Sequence, residues 1–333
     1  MKKFTAIGIA IIFILFSFIS CETKTSAPET GKAKVEDMLS LVPKDALAVF
    51  FINFHRAINL EIVDKLIKEK DTLEKYQEFV ETTGIDPQND IYFVAGAITG
   101  EMEKDKQEGV GIINLKYDRD ALLSVIKEKT EKKQEFKEED YNGFTIYNFK
   151  ENDEEGCFVF LDDSNIAAGN KGDVKSVIDI LQKKEESILK DEAFSALFAK
   201  MNKEALFWIG AVIPPEVTSK ISEENPMLSI FEAVNAVSIY FDYTNKNIIT
   251  EINLMSSDEI KNQEMADSLN QLKTMGSMIQ IQDLNLGELL DKIEITSRPD
   301  HVKIYATIPE DLPKDLINKL KMKKPEEEKE KIK

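Results

Sequence analysis

Two cysteines, Cys21 and Cys157, and two histidines, His55 and His301, are the only thiols and imidazoles in this chain of 333 residues. A thiol can be acylated, oxidised or metallated, and an imidazole can move a proton or hold zinc. A zinc site needs three or four such ligands at close spacing, which these four positions do not offer. Neither histidine has a Gly-x-Ser-x-Gly nucleophile elbow to serve. His55 falls at the exit of an expected strand and His301 in an expected hairpin turn, so both read as structural. Phosphate chemistry fares no better, because the chain has no GxGxxG and no GxxxxGK[ST] motif. Gly169-Asn170-Lys171-Gly172 does lead into a helix whose first amides attract anions, but Asp173 occupies that positive end. The acidic runs Asn152-Asp153-Glu154-Glu155 and Asp162-Asp163-Ser164-Asn165 offer oxygens of the kind calcium takes. They lack calcium-loop spacing, and these residue types are those that turns favour. A glycosidase needs only two carboxylates, and no pair stands out among 61 acidic residues. We expect no catalytic residue, no cofactor and no metal.

The two thiols have different surroundings. Cys157 opens the run Cys157-Phe158-Val159-Phe160-Leu161, the setting of a buried, inert thiol. Cys21 instead closes the leader: Lys2 and Lys3, then an apolar stretch from Thr5 to Ile19, then Ser20. A positive start, an apolar core and a small residue before the cut describe a secretory signal peptide. With the cysteine directly after the small residue, the segment resembles a bacterial lipoprotein signal, although Phe18 stands where Leu is usual. The resemblance implies that residues 1–20 are removed and that Cys21 becomes a diacylglyceryl cysteine carrying acyl chains of the palmitate kind. Two chains at about 0.8 kcal/mol per buried methylene hold a protein stably to a bilayer. An uncleaved anchor is the alternative; the run of about 15 residues is shorter than the ~20 a spanning helix needs, and no basic cluster follows it. Glu22 follows the cysteine where Asp resembles an inner-membrane retention signal, so an outer membrane is favoured in a Gram-negative cell.

The bulk composition narrows the partners. With 43 basic and 61 acidic side chains and a net charge of −18, the chain lacks the basic surface that nucleic acid requires. The same balance excludes a polybasic patch on anionic lipid. Assigning Cys21 to lipid leaves Cys157 alone, so no intramolecular disulfide is expected.

The polar residues 21–36 after the cut read as the lipidated cysteine and a flexible tether, and residues 321–333 as a disordered charged tail. Between them the order of elements occurs twice. The first pass has a strand at Ala46 to Phe54 and one long helix with Ile58, Ile62, Leu66, Leu73, Tyr76 and Val80 on helical spacing. Thr83-Gly84 and Asp86-Pro87 end it. Strands Ile91 to Thr99 and Gly109 to Lys116 follow, then a helix capped by Asp118. Strands Phe144 to Phe149, Cys157 to Leu161 and Asn165 to Gly169 and a helix from Asp173 to Lys183 close the unit. The second pass has strands Glu204 to Val212, Val234 to Tyr243 and Asn247 to Leu254, with Thr244-Asn245-Lys246 as a hairpin turn. Ser256 and Glu259 have capping-box spacing before a helix carrying Ile260, Met265, Leu269, Leu272 and Ile279. Lys292 to Thr296, Val302 to Thr307 and a helix from Pro309 to Leu320 complete it.

In these two passes DALAVFFINF aligns with EALFWIGAVI, and GIINLKYDRD with TEINLMSSDE through the shared Ile-Asn-Leu. The expected fold class is α+β: two similar β-α-β-β-α-β-β-α units, residues 37–188 and 189–320, with mainly antiparallel sheets and helices packed on one face. Pro43-Lys44-Asp45-Ala46 leading into an apolar strand, the Thr83 to Pro87 turn, and the Asn165 to Asp173 strand-to-helix junction resemble uncharacterised families of duplicated bacterial envelope proteins. That resemblance implies an envelope location and carries no chemistry.

Three functional classes follow. The first is a membrane-anchored envelope lipoprotein with a non-catalytic interaction or structural role, touching the membrane through Cys21 and an envelope protein through its body. The second is a carrier of an apolar small molecule, suggested by the aromatic and Met content of the strands and by the helix around Gly276, with Met275 and Met278; Trp208, Phe207 and Met265 themselves read as core. The third is an enzyme using carboxylates alone. An apolar cavity between sheet and helices favours the carrier; filled interfaces favour the interaction protein.

Overall fold

The computed structural model describes residues 35–100, 108–131, 136–151, 154–278, 280–281 and 284–312. Cys21, the leader, residues 22–34 of the expected tether and the charged tail lie outside them, while Val35 and Glu36, expected in the tether, begin a helix. The chain divides into two compact units, Met1–Ile209 and Gly210–Lys333. Residues 189–209, which the sequence alignment assigns to the second repeat, therefore fall in the first unit.

In the first unit α1 (Val35–Leu39) and β1 (Ala48–Ile52) precede the helices α2 (Phe54–Ile58), α3 (Glu61–Ile67), α4 (Lys70–Thr83) and α5 (Pro87–Asp90). Then come β2 (Ile91–Thr99), β3 (Glu108–Leu115), α6 (Arg119–Glu131), β4 (Phe136–Tyr141), β5 (Phe144–Glu151), β6 (Glu154–Phe160), β7 (Asn165–Gly169), α7 (Lys171–Leu181) and α8 (Glu192–Phe198). β8 (Phe207–Val212) carries the boundary between the units. The strands lie in the order β1-β2-β3-β7-β6-β5-β4, each antiparallel to its neighbour.

The α+β class and the antiparallel sheet are as the sequence implies, but this sheet carries helices on both faces. Phe158, Phe160 and Tyr147 pack with Leu122, Leu123 and Ile126 of α6. Cys157 and Val159, pointing the opposite way, are buried as well. On that side α7 places Lys171 and Lys175 on Glu139 of β4. The cause is in the strands themselves. β2 reads IYFVAGAIT and β6 ends in CFVF, so neither face is left polar, and a strand with two apolar faces must be covered twice.

The second unit contains α9 (Pro215–Glu224), β9 (Ala236–Thr244), β10 (Asn247–Met255), α10 (Glu259–Ser277), the short pair β11 (Gln280–Ile281) and β12 (Leu284–Asn285), α11 (Leu286–Leu290), β13 (Ile293–Arg298) and β14 (His301–Pro309). Its sheet order is β9-β10-β14-β13, antiparallel throughout. α10 lies on one face, where Met265 and Ala266 pack with Val234, Leu254 and Val302. In both units a helix follows the second strand of an antiparallel pair, and the chain then returns to pair with that strand: β7 with β3, and β14 with β10. The two Ile-Asn-Leu segments occupy these equivalent strands, and Asn114 and Asn253 are both buried.

Several local expectations are met and others corrected. Asp118 accepts from the Ala121 amide at 2.9 Å, as a cap should. Asn245 and Lys246 both have positive φ, the mirror-image turn that a two-residue hairpin requires. β4 was not expected, although Asn142-Gly143 joins it to β5 with φ of 52° and 84°, the same turn type. The long helix after β1 is three helices. Asn53 caps the first, and Asn59 ends it by donating its side-chain amide to His55 and Gln88 carbonyls at 2.8 and 2.9 Å. At α10 the cap is Asp258, which accepts from the Lys261 amide at 3.0 Å. Ser256 sits two residues back, accepting from the Asp258 amide. Pro309 is the last residue of β14, and residues 313–320 of the helix expected there lie outside the described residues.

Candidate functional site

Each reactive side chain in the described residues has a structural occupation. Cys157 is buried, with its thiol 3.6 Å from the Gly169 carbonyl oxygen. Burial pushes that thiol up to about 12, far above the range in which a thiolate nucleophile forms near neutrality. We predict that a thiol reagent at pH 8 leaves Cys157 unmodified in the folded chain and modifies it rapidly in denaturant, read by intact mass. Rapid modification of the folded chain would refute the assignment. His55 lies in α2 with its ring 6.1 Å from that of Tyr92. His301 begins β14, with Nδ1 2.6 Å from the Asp300 carboxylate.

The acidic and glycine-containing loops are turns and caps. The Asp162 carboxylate accepts from the Ser164 amide at 2.7 Å and from the Asn165 side-chain amide at 2.8 Å. Asn152 and Asp153 lie outside the described residues. Asn170 caps α7 by accepting from the Asp173 amide at 3.0 Å, and the Asp173 carboxylate in turn accepts from Thr99 and Asn170. Burial raises the Asp173 carboxyl above its usual range. Among the described residues, no group of three or more His, Cys, Asp or Glu is placed to hold a metal ion.

The Thr83 to Pro87 turn is the most heavily bonded of the motifs. Gly84 ends α4 at φ 69°, and Thr83 donates its hydroxyl to the Phe79 carbonyl at 2.7 Å. The Asp86 side chain caps α5 through the Gln88 amide at 3.0 Å and takes the Tyr76 hydroxyl; its own amide donates to Asp90 at 2.7 Å. Pro87 sits at the helix start, where a missing amide costs nothing. These bonds tie the end of α4 to α5 and the start of β2.

The richest polar arrangement lies in the second unit, on the sheet face away from α10. Register places Ser238 opposite Asn253, Tyr240 opposite Glu251, and Lys303 and Tyr305 beside them on β14. Asn253 donates to Glu251 at 3.0 Å and to the Ser238 hydroxyl at 3.2 Å, while Lys303 forms an ion pair with Glu251. Burial, then the Glu251 charge, push the Tyr240 phenol up to about 12. This network was missed in the sequence. Its only signal is the period-two spacing Ser238-x-Tyr240, Glu251-x-Asn253 and Lys303-x-Tyr305, and that spacing does not say which residues face each other. Ser238, Glu251 and Asn253 are buried, and only the half-buried Tyr240, Lys303 and Tyr305 reach the surface, so the network ties the three strands together from within.

A second feature is an apolar surface. Met265 is fully buried, as expected, but Ile260 and Leu272, expected in the same core, are 73% and 50% exposed. Met275 and Met278 are 59% and 77% exposed. Leu272 and Met275 turn away from the side of α10 that carries Asn262, Met265, Ala266 and Lys273 and faces the sheet. A surface groove of about 450 Å³ beside the first turn of α10 is lined by Glu259, Ile260, Gln263, Ser297, Arg298 and Pro299, a mixed and partly charged set. The place where an apolar carrier would hold its cargo is filled in the first unit. Trp208 stacks on Phe51 at 5.7 Å and meets Phe198 at 5.8 Å, and Val174, Val177, Ile178 and Phe194 are buried. Among the described residues, no helix is long and apolar enough to cross a membrane.

Residues 5–275 match the sequence profile of the family described as "Protein of unknown function (DUF3352)". No curated protein matches the chain. Among solved structures, three crystal forms of TP0453 are similar to it. Form III shares 12% identity over 86% of this chain and 100% of the other, with a TM-score of 0.47. Form IV shares 12% identity over 84% and 96%, with a TM-score of 0.45. Form I shares 11% over 85% and 97%, with a TM-score of 0.44.

Proposed function

The chain belongs to the DUF3352 family of proteins of unknown function, and from that premise we propose that it is a lipid-anchored bacterial envelope protein whose body acts by contact rather than by catalysis. One observation carries the proposal: Lys2-Lys3, the apolar stretch Thr5 to Ile19, and Ser20 directly before Cys21. In this reading the Cys21 thiol, losing its proton, displaces the phosphate headgroup of a membrane glycerophospholipid so that its sulfur is joined by a thioether to the diacylglyceryl group, water then cleaves the peptide bond before Cys21, and the residues that follow link the folded part to the bilayer.

Support from the folded part is of two kinds. Cys157, His55 and His301 and the Asp86, Asp162 and Asp173 carboxylates hold structural contacts. The surface offered outward is the apolar end of α10, with Leu272, Met275 and Met278 exposed. A contact protein needs such a face on a rigid frame, and β9, β10 and β14 supply one.

Growth with a labelled fatty acid tests the anchor. The wild-type chain takes up label and partitions with membranes, while Cys21→Ser takes up none and is recovered unprocessed. Equal labelling of the two chains would overturn the proposal.

A further inference from the structure

We propose that the exposed apolar end of α10 pairs with the same end of α10 in a second copy of this chain, which makes the surface offered outward a self-association site. The lipid-anchored reading above enters in one respect, the confinement of the copies to one membrane. Leu272, Met275 and Met278 are 50%, 59% and 77% exposed. They fall at i, i+3 and i+6 and form one ridge across the last two turns of the helix. The backbone under the ridge is held in place. Asn270 donates to the Ile295 carbonyl at 3.3 Å and Lys273 to the Ile293 carbonyl at 2.6 Å, which fastens this part of the helix to β13. Gly276 lies so close to Leu290 of α11 that a Cβ there would meet its Cδ1 at 3.1 Å. The ridge is a fixed surface.

Charge selects the partner. The first half of α10 carries Glu259, Lys261, Glu264 and Asp267, whereas from Ser268 to Met278 the one charged side chain is Lys273, which is turned to β13. Two copies of a chain with a net charge of −18 repel each other, and they approach at least cost where both surfaces lack charge. The ridge meets that condition with itself. A bilayer fits less well. Glu264 and Asp267 lie within about 80° of Met275 around the helix, so laying this side of α10 on lipid would press carboxylates onto it. A second helix crossing at Met275 touches the last two turns alone and leaves Asp267 about 12 Å away along the axis.

Identical copies meet about a two-fold axis, so the contact must be complementary to itself. With the axis at Met275, Met275 meets Met275 and Leu272 meets Met278. Unbranched thioethers adapt to such a crossing. A standard interface buries about 800 Å² on each partner, and three side chains exposed to this degree supply roughly half of that. The contact is therefore weak between free copies. It becomes effective when anchors at Cys21 hold the copies in one membrane plane, where their effective concentration is high.

Disulfide trapping in intact cells producing the full-length chain tests this, with each link located by peptide mass. Met275→Cys should form a dimer linked through that position several-fold faster than Gln263→Cys, an exposed control on the first half of α10. Adding Leu272→Asp to Met275→Cys should reduce the rate to that of the control. Chains bearing Leu272→Cys and Met278→Cys, produced together, should link to each other. Equal rates for Met275→Cys and Gln263→Cys would overturn the proposal. So would a link from Met275→Cys to a protein of another sequence. A Met275→Cys thiol that neither links nor reacts with a water-soluble maleimide, one that labels Gln263→Cys, would assign the surface to lipid and overturn it too. Anchor and interface fail separately. Fast linkage in a chain whose Cys21 carries no lipid keeps the interface and removes the anchor; slow linkage in a chain whose Cys21 does carry lipid does the reverse.

Discussion

Trp208→Ala should destabilise the first unit by about 3–5 kcal/mol, measured as a fall in the urea midpoint with an unchanged slope. Trp208 is fully buried and is the only tryptophan in the chain. Its ring is shared between Phe51 of β1 and Phe198 of α8, so truncation opens a cavity where a strand and a helix meet. The surrounding rings are held by their own contacts, Phe51 with Phe93 at 5.4 Å and Phe194 with Phe198 at 6.0 Å, and cannot collapse freely into the space. The indole N–H finds no acceptor among the described residues. Trp208→Phe removes that unpaired donor while keeping most of the apolar volume, so it should cost far less than Trp208→Ala. Equal losses for the two substitutions would show that the ring's packing is not what holds this region.

Asn262→Leu should cost the second unit about 2–3 kcal/mol. The side chain is fully buried at the first turn of α10 and ties that turn to the carbonyls of Ser256, Arg298 and Pro299. Leucine keeps the approximate volume but leaves the buried Ser256 carbonyl, and the part-buried Arg298 and Pro299 bonds, without their donor, which is the costly side of a lost hydrogen bond. The exposed neighbour Gln263→Ala is the control and should change stability by no more than about 0.5 kcal/mol. A loss at Asn262 no larger than at Gln263 would refute the anchoring role.

The sequence revealed what local chemistry determines. Asn245-Lys246 forms its hairpin because two residues between strands must take positive φ, and Asp118 caps because a carboxylate at that position meets free amides. Asn142-Gly143 carried the same hairpin signal, and β4 was missed because its own residues, FKEEDY, are mostly charged. They are charged because β4 is the last strand in its sheet order, where charge discourages pairing with another chain. The helix after β1 reads as one by periodicity, yet Asn59 breaks it with bonds to His55 and Gln88; the second partner is 29 residues away and invisible to a local pattern.

The candidate surfaces divide the same way. Cys157 was legible as an inert thiol because its neighbours are apolar. The Glu251 network was not, because it needs the register of three strands before any pair can be named. Ile260 and Leu272 looked like core by spacing alone. Ile260 is exposed because it lies about 200° around α10 from the fully buried Asn262, and Leu272 because it turns away from the side that carries Ala266 and Lys273. Spacing groups residues on a helix, but which side of the helix meets the sheet is decided by the packing.

The central claim concerns Cys21, and the most direct measurement is the mass of the amino-terminal peptide of the chain recovered from its own membranes. The account predicts a peptide that begins at Cys21 and carries a thioether-linked diacylglycerol. A peptide that begins at Met1, or one that begins elsewhere with the Cys21 thiol free, would contradict it.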